Sequence, residues 1–373
     1  MTGLTLLRLT LGRFRNYQAL SWQPGGRMVV ISGANGSGKT NLLEALSFLT
    51  PGRGLRGAKI AEVATSGTGA WAVHGRFNTP DGVAEIGTGT TEDAPDRRIF
   101  RLDGAAPRNQ AELAARVAAV WLTPQMDRLF QEGLSGRRRF LDRLVYAIEP
   151  GHAREVAAFE AAIAGRNRLL SEGRRDAAWL AGLEDAMARH AVSVTAARAA
   201  LVASLNAALA EGIAGAFPAA HLTLLSPIGE RLASEPALAV EDWLRASLAA
   251  DRARDAAAGS AALGAHRDDL ALADLATGLP AAQASTGQQK ALLIGVILGH
   301  AALLARARGF APLLLLDEPA THLDPARRDA LFAALSALPA QVFLTGTDAE
   351  IFAPLRGRAA FWQTGANALH ADP

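Results

Sequence analysis

Residues 33–40 are the feature that most restricts what this chain can fold into. They read Gly-Ala-Asn-Gly-Ser-Gly-Lys-Thr, which is the pattern of a phosphate-binding loop, or P-loop. An apolar, strand-like run at residues 28–31 comes before the loop, and a helical pattern at residues 41–49 follows it. In a strand, loop and helix of this kind, backbone amides and the positive end of the helix dipole surround phosphate groups. The sequence therefore predicts an α/β fold that binds ATP.

Lysine is rare in this chain, which makes the lysine of the P-loop informative. Lysine occurs only at Lys39, Lys59 and Lys290, and arginine supplies the other strongly basic side chains. Arginine cannot replace a P-loop lysine, because the compact ammonium has to sit between phosphates. Lys39 is expected to reach the outer phosphates, and the Thr40 hydroxyl is expected to hold Mg²⁺. The residues expected to contact ATP are Gly33, Ala34, Asn35, Gly36, Ser37, Gly38, Lys39 and Thr40.

Two acidic residues, Asp317 and Glu318, follow a strand-like run of leucines at residues 313–316. A buried parallel strand delivers the side chains at its carboxyl end into the ligand crevice of an α/β sheet. Asp317 is therefore expected to hold Mg²⁺ through water, and Glu318 is expected to orient or deprotonate the attacking water. Taken alone, this segment could be an ordinary turn after a strand. The P-loop makes that alternative the weaker one.

A third motif lies between the P-loop and the acidic pair. It stands at the start of an apolar helical pattern that spans residues 287–305. It reads Ser285, Thr286, Gly287 and Gln288 before a basic residue, and it resembles the signature motif of ABC ATPases. A serine hydroxyl and a glycine amide at a helix start form a second anion site. The motif is expected to bind the γ-phosphate held by the P-loop of another subunit, which predicts an ATP-dependent homodimer. Taken alone, the same residues would be an ordinary helix N-cap.

The sequence predicts an ATPase head and an inserted arm. Three β-type segments at residues 71–77, 83–88 and 97–102 predict an antiparallel β subdomain. From about residue 131 the sequence turns rich in alanine and arginine with a helical period, which is interrupted near Pro218 and Pro227. The predicted fold class is α/β: an ABC-type P-loop head, with a mixed sheet and flanking helices, and an inserted α-helical arm. The predicted domains are the first part of the head at residues 1–130, the arm at 131–258 and the second part of the head at 259–373.

Composition excludes some kinds of site and favours one compartment. The chain has no cysteine, which excludes disulfides and thiolate zinc sites and suits a reducing compartment. The amino terminus lacks the pattern of a secretion signal, and no uninterrupted apolar stretch is long enough to span a membrane. We therefore expect a cytoplasmic protein without a membrane partner.

Further segments make the chain similar to one family among the ABC and SMC ATPases. They are residues 14–17 (Phe-Arg-Asn-Tyr), 122–125 (Leu-Thr-Pro-Gln), 136–142 (Gly-Arg-Arg-Arg-Phe-Leu-Asp) and 264–269 (Gly-Ala-His-Arg-Asp-Asp). With them, the chain resembles the RecF family of bacterial recombination mediators over essentially its whole length. The segments at 136–142 and 264–269 are the specific ones, since ABC-type ATPases share the other motifs.

The chain departs from that family's pattern at a few positions. Gln125 stands where an acid is expected, although a glutamine suits a contact to Mg²⁺ from this loop. Ala265 replaces a usual proline, and His322 precedes the Leu-Asp pair of the expected D-loop. Residues 344–348 lack the switch histidine that is common in transporters. These departures leave the roles of individual side chains open.

The resemblance implies a function in DNA repair. It implies a slow, DNA-dependent ATPase in which ATP joins two heads into a DNA-binding clamp and hydrolysis releases the clamp. The implied DNA is duplex beside a single-strand gap. RecR and RecO are the implied partners, and RecA loading is the implied downstream step, in recombination, replication-gap processing and the SOS response. The implied cofactors are ATP and Mg²⁺.

Three other classes of P-loop protein fit the sequence less well. The ATPase subunit of an ABC transporter would not have so large an insertion between the P-loop and the signature. An SMC-like chromosome protein needs long coiled coils with sustained heptads, which this arm lacks. A metabolic P-loop kinase would not explain a signature motif before the acidic strand.

The arm carries a basic cluster, Arg137, Arg138 and Arg139, that is expected to contact DNA. Guanidinium groups neutralise nucleic-acid phosphates and release counterions. The alternative is a solvated helix face, or arginines that pair with Asp142 and Glu132. Both interpretations stay open at the level of sequence.

His266 stands close to Asp268 and Asp269, a combination that occurs in metal sites. No further cluster of ligands appears nearby in the sequence. These residues are therefore expected to fix a hairpin near the nucleotide instead.

Overall fold

The chain alternates between two structural units in the computed structural model, which describes residues 3–173, 176–213, 215, 217–365 and 368–372. The α/β unit consists of Met1–Arg128, Glu211–Ala219 and Ser285–Pro373. The helical unit consists of Leu129–Ala210 and Ala220–Ala284. The helical unit extends past residue 258, where the predicted arm ends, because its two strands pair with each other on either side of that point. The predicted domain boundaries stay a prediction.

The elements have the following bounds. The strands are β1 (Thr5–Phe14), β2 (Tyr17–Trp22), β3 (Met28–Ser32), β4 (Ala72–Thr79), β5 (Gly82–Thr91), β6 (Ala94–Leu102), β7 (Ala119–Leu122), β8 (Ala220–Leu225), β9 (Asp269–Asp274), β10 (Leu313–Leu316), β11 (Val342–Gly346), β12 (Ala360–Gly365) and β13 (Ala368–Asp372). The α-helices are α1 (Lys39–Phe48), α2 (Gln110–Ala114), α3 (Leu134–Ile148), α4 (His152–Ser171), α5 (Ala177–Ala210), α6 (Pro227–Leu232), α7 (Ala237–Ala250), α8 (Arg252–Ala258), α9 (Thr286–Arg308) and α10 (Pro325–Ala337).

A mixed sheet forms the centre of the α/β unit. Its strand order is β13-β12-β3-β11-β10-β7, and only the pair of β12 and β13 is antiparallel. All residues of β3, β10 and β11 are buried, which is why these strands are apolar throughout. The carboxyl ends of the parallel strands meet at one edge of the sheet. In folds of this kind, ligands bind at that edge.

A second sheet in the same unit is antiparallel, with the order β2-β1-β4-β5-β6. Buried and exposed residues alternate along β4, so one face of this sheet packs on the core. An aromatic cluster joins the sheet to α1. The rings of Phe14, Phe48 and Trp71 meet edge to face, with centroids 5.9, 5.7 and 5.3 Å apart. This packing fixes the helix that follows the P-loop.

The helical unit contains α3 to α8 and a small antiparallel sheet of β8 and β9. The side chain of Asn206 on α5 pairs with both the backbone N–H and the C=O of Leu222, each at 2.8 Å, and so covers the open edge of β8. Arg166 is fully buried and pairs with Glu184 at 3.0 Å and with Asp255 at 2.8 Å. These contacts tie α4, α5 and α8 together.

Some elements have no counterpart in the sequence prediction. Strands β2 and β8 are among them, although the interruptions near Pro218 and Pro227 lie on either side of β8. Strands β12 and β13, which follow β11, have no counterpart in the sequence prediction either. β12 mixes buried and partly exposed residues, which makes its sequence signal weak.

Two helices are long and apolar enough to cross a membrane by length and composition alone. They are α5 and α9, and 50% and 78% of their most apolar windows are buried inside the protein. Core helices of soluble proteins pass the same test. The apolar character of α9 is explained by its burial in the α/β unit.

Candidate functional site

The P-loop connects β3 to α1 at the edge of the central sheet. Gly38 has a φ of +105°, which only glycine adopts readily. A Cβ atom there would also lie 2.6 Å from Nδ2, the side-chain amide nitrogen of Asn16. The Tyr17 hydroxyl donates to the Gly38 carbonyl at 3.3 Å. The end of the P-loop at Gly38 thus packs closely against Asn16 and Tyr17. At the start of the P-loop, Ala34, Asn35 and Gly36 are exposed.

Lys39 lies inside the P-loop. Its side chain is only 5% exposed, and Nζ donates to the carbonyl oxygens of Gly33 at 2.7 Å and Ala34 at 2.9 Å. Burial lowers the pKa of the Lys39 ammonium, and the nearby carboxylates of Glu318 and Asp317 offset part of that effect. The loop therefore holds a cation against the carbonyl oxygens of its own first two residues, and a cation at this loop suits phosphate binding.

Asp317 collects two hydroxyl groups. Thr40 Oγ1 lies 3.0 Å from both carboxylate oxygens, and Thr345 Oγ1 donates to Oδ1 at 2.7 Å. The structure thus brings together the predicted Mg²⁺ ligands Thr40 and Asp317. Sequence reasoning missed Thr345, which is buried in β11, the strand that pairs with β10. Hard oxygen donors of this kind suit Mg²⁺.

Glu318 has an unusual backbone conformation. Its φ is +49°, a region that costs a non-glycine residue about 1–3 kcal/mol. Both ends of the residue are held by side chains: its N–H donates to Thr345 Oγ1 at 3.0 Å, and its C=O accepts from Lys290 Nζ at 2.9 Å. The side chain itself is partly exposed, at the edge where β10 ends. Strain of this kind persists only where the surroundings enforce it.

Gln125 lies at the same sheet edge but outside this group. The Asp317 N–H donates to the carbonyl of Leu122 at 2.9 Å, so the ends of β7 and β10 are adjacent. Gln125 follows in a 3-10 turn, Pro124–Arg128, and its side chain is exposed. Within the described residues, no hydrogen bond joins it to Asp317 or Thr40. Its contact to Mg²⁺ stays a prediction.

The signature residues form the amino terminus of α9. Ser285 Oγ accepts from the Gln288 N–H at 3.3 Å, and Gln288 Oε1 accepts from the Ser285 N–H at 2.9 Å, which makes a capping box. Ser285, Thr286 and Gln288 are exposed. The first amides of a helix have no acceptor within it, so those of Thr286 and Gly287 can meet an anion. The N-cap and the anion site are compatible here.

Gly287 also contacts the segment that follows Glu318. A Cβ atom on Gly287 would lie 2.8 Å from the carbonyl oxygen of His322, a distance that real side chains do not tolerate. His322 itself has a φ of +64°. The predicted signature and the predicted D-loop of one chain are therefore in direct backbone contact.

Two arginines of the basic cluster at residues 137–139 are already bonded within the helical unit. Arg137 binds both carboxylate oxygens of Asp269, at 2.6 and 3.0 Å, and Arg138 donates to the carbonyl of Asp268 at 3.3 Å. Asp142 pairs with Arg198 instead, at 2.8 Å. Arg139 is exposed. The alternative of paired arginines therefore describes Arg137, with a different acid from the one expected.

Replacing Arg139 and Arg137 separately should give different results. Arg139→Ala is expected to reduce the slope of log DNA affinity against log salt by about 1 if this side chain contacts a phosphate. Arg137→Ala is expected to lower the free energy of unfolding by about 1–3 kcal/mol, since it removes a bidentate, charge-assisted pair. Salt titrations of DNA binding and thermal melts check both. Equal slope changes in the two variants would contradict this division.

His266 is held by structural contacts. Its ring stacks on Phe159 with centroids 5.8 Å apart, and Nε2 lies 2.9 Å from the carbonyl of Ala261. Asp268 accepts from Thr195 at 2.9 Å and from Arg198 at 2.8 Å. In the part of the chain that the structure describes, no group of three or more acidic or histidine side chains could hold a metal ion.

Comparisons with known sequences give relatives over nearly the whole chain. Residues 5–359 match the family model described as "RecF/RecN/SMC N terminal domain". "DNA replication and repair protein RecF" of Mesorhizobium japonicum is 48% identical over 359 residues, which cover 95% of this chain and 94% of that protein. The protein of the same name in Agrobacterium fabrum is 46% identical over 374 residues, which cover 99% of each chain.

Solved structures have the same fold. The structure of "the recombination mediator protein RecF-ATPrS in RecFOR pathway" covers 100% of this chain and 99% of its own, with a TM-score of 0.86 at 20% identity. An Smc head domain from Pyrococcus furiosus is less similar, with a TM-score of 0.53 at 14% identity over 99% of this chain and 96% of its own. The predicted fold class is thereby confirmed, and SMC proteins are only distant relatives. This chain belongs to the RecF family of DNA replication and repair proteins.

Proposed function

We propose that this chain is an ATP-switched DNA-binding clamp, in which ATP joins two heads and hydrolysis separates them. The observation that carries the proposal is the group formed by Lys39, Thr40, Asp317 and Glu318 at the carboxyl edge of the central sheet. The relatives named above support the role in DNA replication and repair. A similar solved structure is one of RecF with ATP.

The residues of the P-loop fit a nucleoside triphosphate with Mg²⁺. The left-handed turn at Gly38 and the buried Lys39 ammonium create a cradle for anions, and Thr40 with Asp317 offers hard oxygen ligands for the metal. ATP would supply the phosphoanhydride bond whose cleavage drives the switch. Lys39 neutralises charge on the outer phosphates, and Glu318 orients a water and accepts its proton. Thr345 holds Asp317 and Glu318 in position relative to each other, because its hydroxyl bonds to the Asp317 carboxylate and to the Glu318 N–H.

Two chains are needed to complete each site in this proposal. The exposed start of α9 offers Ser285, Thr286, Gly287 and Gln288 to the nucleotide on a second copy. Because each head supplies one P-loop and one signature, a dimer has two composite sites. Closing both sites would form a DNA-binding surface, and hydrolysis would open it.

Membership of the family supports a wider role. A similar structure is that of RecF in the RecFOR pathway, and on this basis we propose RecR and RecO as partners and RecA loading as the downstream step. The proposed DNA is duplex next to a single-strand gap. The proposed hydrolysis is slow, depends on DNA and serves as a timer. The proposed compartment is the cytoplasm.

Nucleotide-dependent DNA affinity tests the proposal. With ATP and Mg²⁺, affinity for gapped duplex DNA is expected to exceed that with ADP by at least about 10-fold, which is about 1.4 kcal/mol. Lys39→Arg is expected to remove the difference and to lower ATP turnover, because a planar guanidinium cannot take the place of the ammonium. Fluorescence anisotropy and phosphate release measure the two effects. Equal affinity in ATP and ADP would count against the clamp.

A further inference from the structure

Lys290 is a buried cation that the proposed function does not use. Its side chain is 1% exposed, and Nζ donates to the carbonyl oxygen of Glu318 at 2.9 Å and to Oδ2 of Asp127 at 3.2 Å. It lies one helical turn after Thr286, on the first turns of α9. A lysine is almost never fully buried unless its charge is paired.

Asp127 explains how the charge is tolerated. It belongs to the 3-10 turn Pro124–Arg128 that follows β7, and it is 7% exposed. Burial raises the pKa of Asp127, and the Lys290 ammonium opposes that shift. The ion pair of Lys290 and Asp127 anchors the end of the lysine side chain to the turn that follows β7, the strand beside β10. The ammonium is therefore fixed in position when it contacts Glu318.

The contact with Glu318 has a specific geometric effect. The backbone of Glu318 is held in the left-handed region, and Lys290 and Thr345 bind its C=O and its N–H. Such a conformation persists only while its surroundings enforce it. Without the bond from Lys290, the residue can relax, and the direction of its carboxylate then changes. Lys290 thus controls the placement of the proposed base without touching the nucleotide.

The same helix turn connects this control to the signature. Gly287 packs against the carbonyl of His322, and Lys290, three positions further, holds Glu318. A displacement of the start of α9 therefore moves both contacts together. We propose that Lys290 is a positioning residue that couples the signature of each subunit to the Glu318 of the same subunit. The proposal rests on the function proposed above.

The coupling links the two composite sites of a dimer. The signature of one head contacts the nucleotide on its partner, whereas the Glu318 of that head acts on its own nucleotide. Engagement at one site is thereby communicated through Lys290 to hydrolysis at the other site. A head that is not engaged by a partner lacks this input, which keeps its hydrolysis slow.

The first test separates positioning from folding. Lys290→Met combined with Asp127→Asn removes the contact without leaving an unpaired buried charge, a change that would otherwise be strongly destabilising. We expect kcat for ATP to fall at least about 10-fold while KM stays within about twofold, since only the base is misplaced. Asp127→Asn alone leaves the Lys290 ammonium without its charged partner, so it should lower the melting temperature, but it should lose less of kcat because the contact with Glu318 remains. Arg306→Met removes an exposed cation from the far end of α9 and controls for changes to the helix.

The second test shows in which subunit Lys290 acts. A heterodimer of one Glu318→Gln chain and one chain that keeps its own Glu318 has two intact P-loops and two intact signatures, and only the second chain can hydrolyse its ATP. The Lys290→Met and Asp127→Asn pair is added to either chain. Turnover should fall at least about 10-fold further when the pair is in the chain that supplies Glu318.

The outcomes are distinct. A double variant that melts at the parental temperature and keeps its parental kcat overturns the role of Lys290. A larger loss when the changes are in the Glu318→Gln chain also overturns it. Absence of ATP turnover in the parental protein would instead count against the proposed function.

Discussion

Ser285→Arg is expected to abolish ATP-dependent dimerisation and ATP-dependent DNA binding while ATP binding to the single chain stays nearly intact. Ser285 caps α9 on the exposed surface and makes no contact with the P-loop of its own chain among the described hydrogen bonds. A bulky cation at this helix start blocks the approach of a second P-loop. Analytical ultracentrifugation with ATP and anisotropy with gapped DNA should give the values of the ADP-bound parent.

Mixing this variant with Lys39→Arg makes the test decisive. A heterodimer of the two keeps one composite site with a good P-loop and a good signature, and its other site carries both defects. Some dimerisation should therefore return, and part of the DNA binding with it. Independent composite sites are ruled out if the mixture stays inactive under conditions where heterodimers are shown to form. Loss of ATP binding in the single Ser285→Arg chain would show that the signature does not act across the interface.

Glu318→Gln should reduce ATP turnover by about 10²–10⁴-fold, which is the usual contribution of a general base. The glutamine keeps the shape of the side chain, and the contacts that hold Glu318 involve only its backbone, so Thr345 and Lys290 can still bind it. ATP and Mg²⁺ should remain bound, and the dimer should stay closed on DNA. Phosphate release and sedimentation with ATP and DNA measure the two effects.

A matched substitution controls for the loss of a negative charge. Glu350→Gln changes an exposed acid of the same α/β unit whose only ion pair in the described structure is a weak one, 4.0 Å from Arg356. It should keep parental turnover. A Glu318→Gln protein that turns over ATP at the parental rate would remove this residue from its role. A purely monomeric Glu318→Gln protein with ATP would remove the main support of the clamp.

Local signals in the sequence predicted the parts of the fold that depend on burial from both sides. The P-loop and the leucine strand at residues 313–316 are examples, because a central parallel strand needs a continuous apolar run and a phosphate loop needs glycines at fixed positions. Strands β12 and β13 were outside the reach of such reasoning. Each is short and partly exposed, and β12 obtains its stability from β3, far away in the chain.

The same limit applies to the site. Asp317 and Glu318 are recognisable from their neighbours, but the contacts that orient them come from Thr345 and Lys290, and pairings of this kind are set by the packing of separate elements. The arginine cluster shows the opposite error. Three adjacent arginines suggest DNA, whereas Arg137 is paired with Asp269, 132 positions away. A charge pattern alone does not show which charges remain available to a ligand.

The order of the central sheet also determines when it can form as the protein is made. β3 carries the P-loop, and its two neighbours are β11 and β12. Ser32 and Val342 lie 310 positions apart. At about 5–20 residues per second, a ribosome needs roughly 15–60 s between them. Throughout that time β3 lacks both of its partner strands, whereas both strands of the helical unit have been synthesised before it ends. Nascent chains at this stage therefore contain all strands of the helical unit but an incomplete central sheet. The apolar strand β3 is then exposed to aggregation, which is the hazard that chaperones reduce.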